Sequence, residues 1–113
     1  MAEPTIIDIF GAGATQSATT ITINKADLAS VGLTASASNT AESLLAAIVL
    51  KAKSALTQMG FDTNSDQSIT VERGFDSITQ RDDGSGSFIS VVQNQLNVNL
   101  HKISNTAISA NDY

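Results

Sequence analysis

Residues 39–60 constrain the fold more than any other segment. Asn39 stands where an N-cap side chain is favoured, and Glu42 is placed to reach back to it as in a capping box. Good helix formers fill the stretch to Met59, and Gly60 sits where a left-handed C-cap is wanted. Glu42 near the start and Lys51 and Lys53 in the C-terminal half agree with the helix macrodipole. At ~100° per residue, Leu44, Leu45, Ile48, Val49, Ala52, Ala55, Leu56 and Met59 share one stripe, which predicts burial against a sheet. The opposite side carries Ser43, Ala46, Ala47, Leu50, Ser54 and Thr57, small and uncharged where a solvated face usually carries Glu and Lys. Two readings stand side by side. Leu50 is an ordinary exposed leucine, or Ala46, Ala47, Leu50 and Ser54 form a face that another subunit covers.

The rest of the chain reads as strands. Residues 5–10 are apolar and β-branched, with Ile6, Ile7, Ile9 and Phe10 the candidate contact residues, before Gly11 and Gly13 break the run. They predict an extended arm, pairing either within its own domain or with a neighbouring subunit's sheet edge. Thr20, Ile21, Thr22 and Ile23 alternate with the period of a strand, and Ala26, Asp27 and Leu28 suggest a helical turn before Gly32. Beyond Gly60, Ile69 and Val71 alternate with polar residues, and Gly74 followed by Phe75 marks a bulge ahead of Ser77. Residues 81–86 are a turn signal, with Asp83 and Gly84 suited to positive φ, and residues 88–92 return as the partner strand. Residues 95–102 are the cleanest strand: Leu96, Val98 and Leu100 on one face, Asn97, Asn99 and His101 on the other. The expectation is an α+β fold, an antiparallel sheet of about four strands packed on one long helix in two layers, with an extended N-terminal arm. Its parts are the arm (1–14), a single α+β domain (15–103) and a polar C-terminal tail (104–113), mobile or held by a partner.

Composition narrows the function classes. A chain of 113 residues suits one domain. It has no cysteine, so disulfides and thiolate metal sites are excluded. Six Lys and Arg against eleven Asp and Glu, with no basic cluster, argue against nucleic acid as a partner. The longest apolar run, residues 44–50, falls far short of the ~20 residues that cross a bilayer, and the start of the chain carries neither the basic nor the apolar region of a secretory leader. Charged residues make up 15% of the chain against the ~25% usual for soluble domains. Ser, Thr, Asn and Gln replace them, groups that cost less to desolvate than ions. That surface suits repeated protein contact.

Candidate chemistry is sparse. Asp62, Asn64, Asp66 and Ser68 match the opening of a calcium loop, but Gln67 stands where its glycine belongs and Arg73 where its bidentate acid belongs. A polar helix-to-strand loop with Asx turns accounts for the same residues. Gly11 and Gly13 lack the third glycine and the lysine of a phosphate loop and read as a joint. His101 is the only histidine, with no carboxylate or serine set beside it. Asp76, Asp82 and Asp83 are explained by turn chemistry rather than by acid–base work. No cofactor and no enzymatic activity are expected.

Residues 40–50 (Thr-Ala-Glu-Ser-Leu-Leu-Ala-Ala-Ile-Val-Leu), 66–71 (Asp-Gln-Ser-Ile-Thr-Val) and 95–100 (Gln-Leu-Asn-Val-Asn-Leu) resemble segments of small proteins of tailed phages, notably phages of cyanobacteria. The resemblance runs from Phe10 to Lys102 in texture and order of segments, without a diagnostic motif. It implies a virion structural role, foremost a capsid cement or decoration protein contacting itself and other virion proteins such as a major capsid protein. A tail or baseplate component is the rival. A small ligand-binding or regulatory module is the alternative of another class.

Overall fold

The computed structural model describes residues 2–103 and 107–113. It is α+β, with small antiparallel sheets and short helical pieces in place of one long helix on four strands.

The N-terminal segment differs from expectation first. Ile6–Phe10 is a helix, α1, because Thr5 and Asp8 complete a capping box: the Asp8 amide donates to Thr5 Oγ1 (3.1 Å) and the Thr5 amide to Asp8 Oδ2 (2.9 Å). Two local hydrogen bonds of this kind satisfy helix-end donors that a strand would leave to a partner. The segment packs on the central helix, so no extended arm exists here. Thr15–Gln16 (β1) and Ile21–Thr22 (β2) form a minimal hairpin, far shorter than the alternation around Ile21 suggests. The helical turn expected near Leu28 is a 3₁₀ segment, Lys25–Val31, capped by Asn24 and ended by Gly32.

The central helix, α2, spans Ala41–Ala55. Its N-cap is Thr40, whose hydroxyl accepts from the Ser43 amide at 3.1 Å. Asn39 instead closes the preceding loop, accepting from the Ser36 amide and donating to the Thr34 carbonyl. At the far end Thr57 caps a separate helix, α3 (Gln58–Thr63), so Gly60 lies inside α3 and Met59 outside α2. A hydroxyl able to cap thus splits the run that helix propensity alone would continue.

Burial rotates the expected stripe. Leu45 is 63% and Met59 76% exposed, while Ala47 from the opposite side is buried. The 3₁₀ segment covers that side, with Val31, Gly32 and Leu33 facing Ser43, Ala46, Ala47 and Leu50 across a cleft of about 180 Å³. Among the described residues the apolar core is small: Ala14, Leu28, Ala47, Leu56 and Val71. Gln67, itself buried, ties the core together by donating from Nε2 to the carbonyls of Thr57 and Ile69, each at 2.9 Å.

The remaining strands are β3 (Ile69–Arg73), β4 (Ser77–Asp82), β5 (Phe88–Gln93) and β6 (Leu96–Leu100). β3 pairs only with β6 and β4 only with β5. Ile69 faces Leu100 and Arg73 faces Leu96; Ser77 faces Gln93 and Asp82 faces Phe88. Between the ladders Gly74, Phe75 and Asp76 stand opposite only Asn94 and Gln95, a one-residue bulge as Gly74 and Phe75 suggest. The four strands are therefore the two legs of one ribbon. At ~3.3 Å per residue, residues 69–82 extend roughly 45 Å, against a longest molecular dimension of 53 Å. The radius of gyration, 16.9 Å, exceeds the ~13 Å of a compact chain of this length.

Candidate interaction surface

The ribbon's root is held and its tip is free. At the root the Val71 amide, on the outer edge of β3, donates to the Leu56 carbonyl at 2.9 Å, and Thr70 is fully buried. Every residue of β4, and all of β5 except half-buried Val91, is exposed. Ile78 and Val92 are cross-strand partners, 75% and 62% exposed, and Phe88 lies on the same face at 74%. Ile89 and Val91 occupy the other face, while Phe75 stands out of the bulge at 88%. Scattered apolar residues are ordinary on a surface, whereas an apolar row on a lone ribbon has no second layer to rest on. Two-stranded hairpins by themselves are marginal in water.

Local polar contacts shape this projection. The Gln95 side chain accepts the Phe75 amide at 3.1 Å through Oε1, and a Cβ at position 74 would lie 2.7 Å from the same oxygen, so a larger residue there would displace the Gln95 side chain. Arg73 donates to Asp76 at 2.7 Å across the bulge. At the tip Gly84 and Gly86 take positive φ, near 90°. Asp83 accepts from the Ser85 hydroxyl (2.6 Å) and amide (2.8 Å), and these bonds hold its carboxyl below the ordinary 3.8. Asp82 accepts from the Gly84 amide. The three acids are thus occupied with turn and ion-pair bonds.

Other candidates are placed apart. On α1, Ile7 is 52% exposed and Ile6, Ile9 and Phe10 are half-buried, packed toward α2 rather than offered as a strand. On α2, Ala46 and Ser54 are exposed, Leu50 is half-buried and Ala47 is buried beneath the 3₁₀ segment. The chain's own backbone therefore shelters part of the face expected to meet another subunit. In the calcium-like loop, Asp62 sits on α3 and accepts from Gln58, and Asn64 accepts from the Asp66 amide while donating to the Ala2 carbonyl. The Ser68 carbonyl accepts from the His101 amide. Among the described residues no group of three or more His, Asp or Glu side chains is arranged to hold a metal ion.

The His101 ring packs against Phe61 with centroids 4.4 Å apart and the planes tilted by 34°. Both line an open cleft of about 560 Å³ with Ser65, Gln67, Ser68, Lys102, Ile103 and Asp112. Lys102 crosses to Asp112 at 2.8 Å and to the Ala107 carbonyl, fixing the described part of the tail, 107–113; its first residues, 104–106, lie outside the described residues. The Asp112 carboxylate is engaged by Lys102, and the ring contact of His101 is with Phe61. No helix among the described residues is long and apolar enough to cross a membrane.

The exposed apolar row of the ribbon is the feature that strand periodicity missed. Its signal was present: from Gly84 to Leu100 the chain carries no charged residue, and an exposed strand pair normally carries charges that discourage pairing. No family model, curated protein or solved structure matches the chain.

Proposed function

We propose that this chain is a non-enzymatic virion structural subunit, a capsid cement or decoration protein that contacts other copies of itself and a major capsid protein through its projecting ribbon. One observation supports the assembly part of this reading. The accessible surface is 8041 Å², whereas a compact monomer of 11.7 kDa exposes roughly 5,900 Å². The excess, roughly 2,100 Å², is as large as the total area buried in a protein–protein contact of ordinary size. The exposed strands β4 and β5, which among the described residues pair only with each other across their own two-stranded ladder, contribute to it. The phage setting is supported by the resemblance of residues 40–50, 66–71 and 95–100 to small phage proteins. Many weak contacts repeated on a symmetric shell act together, so a single ribbon need not bind tightly.

The test is quantitative mass spectrometry of purified heads and tails, with a Phe88→Lys, Val92→Glu variant shown by circular dichroism to be folded. High copy number in heads, lost in the variant, supports the proposal. High copy number in tails alone moves the protein to the tail or baseplate, and absence from both overturns the virion reading. Strong thermal stabilisation by calcium or a common metabolite would instead favour a ligand-binding module using the cleft beside His101.

A further inference from the structure

The ribbon has four outward edges, and they are unequal. On β3 the outward amide of Val71 is taken by Leu56. β4 carries Arg81 and Asp82, with Asp76 just before it. β5 carries no charge, and among the described residues no other strand pairs with its outer side. At the mouth of the turn the Asp83 amide donates to the Ser87 carbonyl at 2.9 Å. In an antiparallel ladder hydrogen-bonded and non-bonded pairs alternate. From that closing pair the inward-bonded pairs are Arg81 with Ile89, Thr79 with Val91 and Ser77 with Gln93. The backbone N–H and C=O groups of Phe88, Ser90 and Val92 therefore face away from β4.

These outward positions are self-complementary. Turned about a two-fold axis at Ser90, a second β5 runs antiparallel to the first with Ser90 opposite the partner's Ser90. Phe88 then meets the partner's Val92, and Ile89 meets the partner's Val91, so every apolar side chain faces an apolar one. The same residues that present free backbone groups become the hydrogen-bonded pairs of the new ladder. On β6 a two-fold at Val98 would likewise set Leu96 against the partner's Leu100, but β6 belongs to the ribbon's held root, where Leu96 is half-buried, whereas β5 lies on the exposed projection. A two-fold at Gln80 on β4 would set Asp82 against the partner's Ile78. A β5-to-β4 contact would be head-to-tail, leaving an edge open at each end. We infer that two copies of this chain join through β5, centred on Ser90, into a four-stranded sheet ordered β4–β5–β5–β4. The surface excess of one protomer is more than twice the ~800 Å² that each partner contributes to an ordinary stable interface. The resulting sheet also passes the three strands at which an apolar face becomes independently stable.

The inference rests on the reading of the ribbon as an assembly element, and cross-linking separates the two. The chain has no cysteine, so Ser90→Cys introduces a single thiol. In the inferred ladder the two Cα atoms at position 90 stand ~5.5 Å apart, within the ~4.4–6.8 Å span of a disulfide. Mild oxidation of the full-length protein is expected to convert it to a covalent dimer, while Ser85→Cys at the equally exposed tip stays monomeric. Light scattering on the unmodified protein is expected to give twice the chain mass. Ser90→Lys and Ser90→Glu should each be monomeric alone and dimeric when mixed, an outcome that misfolding of either variant cannot produce. Equal cross-linking at 85 and 90, a monomer at all concentrations, or a mass that grows without limit overturns the β5 dimer. If Ser90→Cys fails to cross-link yet the unmodified protein still occupies heads in high copy number, the assembly role stands and only the self-pairing falls.

Discussion

The Val71 amide donates to the Leu56 carbonyl at 2.9 Å, joining the root of the ribbon to the end of the central helix, and both side chains are buried there. This junction is where the small core and the projection meet, so it governs global stability. Leu56→Ala is expected to cost about 2–5 kcal/mol, as a buried leucine truncation does. Leu45→Ala, on the same expected stripe but 63% exposed, should stay within about 0.5 kcal/mol. Urea denaturation of the two variants makes the comparison, and equal losses would contradict the observed burial.

Gln67 is a buried polar staple. Replacing it with Leu keeps its bulk but strips the donor from the Thr57 and Ile69 carbonyls. A loss of about 1–3 kcal/mol is expected, the cost of leaving buried acceptors unpaired. Chemical denaturation measures it, and an unchanged midpoint would show that these carbonyls find other partners.

At the bulge, Gly74→Ala drives a methyl against Gln95 Oε1, 2.7 Å from the new atom. Because the obstacle is a side chain, Gln95→Ala should relieve it. A double-mutant cycle is expected to give a coupling of about 0.5–3 kcal/mol, read from denaturation or from exchange protection of the ribbon amides. Additive losses would place the strain elsewhere.

The tip responds to acid. Ser85 holds the folded Asp83 carboxyl below its ordinary 3.8, so the bonded carboxylate contributes order above that value. The contribution is lost as pH falls from 3.8 through the lowered folded value, and nothing changes toward neutral pH. An NMR titration should show the Ser85 amide moving with Asp83 at a midpoint below 3.8, and Asp83→Asn should abolish the shift.

Thr5→Ala removes the hydroxyl that caps α1. A loss of about 1 kcal/mol in that helix is expected, seen as faster exchange of the Ile9 amide, which bonds the Thr5 carbonyl. Unchanged exchange would favour an extended segment over the helix.

Much of the local structure was legible in the residues. The turn at Asp83 and Gly84, the bulge at Gly74 and Phe75 and the alternation from Leu96 to Leu100 are local chemistry, and each appears where its residues place it. Errors arose where two local signals competed or where the outcome depended on contacts distant in sequence. Ile6, Ile7 and Ile9 favour a strand by propensity, yet the reciprocal bonds of Thr5 and Asp8 make a helix the better local solution. Asn39 and Thr40 are both good caps, and with the Asn39 side chain bonded to Thr34 and Ser36 it is Thr40 that caps the helix. Strand count says nothing about which strands lie side by side, so a four-stranded sheet and one bent ribbon look alike in sequence. Whether Leu45 or Ala47 faces inward depends on where residues 31–33 settle, which periodicity along α2 does not encode.

Because β4 and β5 hydrogen-bond only to each other among the described strands, the length of the distal legs of the ribbon is largely uncoupled from the rest of the molecule. Matched residues added to or removed from β4 and β5 would change its reach by about 3.3 Å per rung while leaving helices and root untouched. Variants with added or removed rungs should therefore keep the stability of the core while changing the distance from kink to tip.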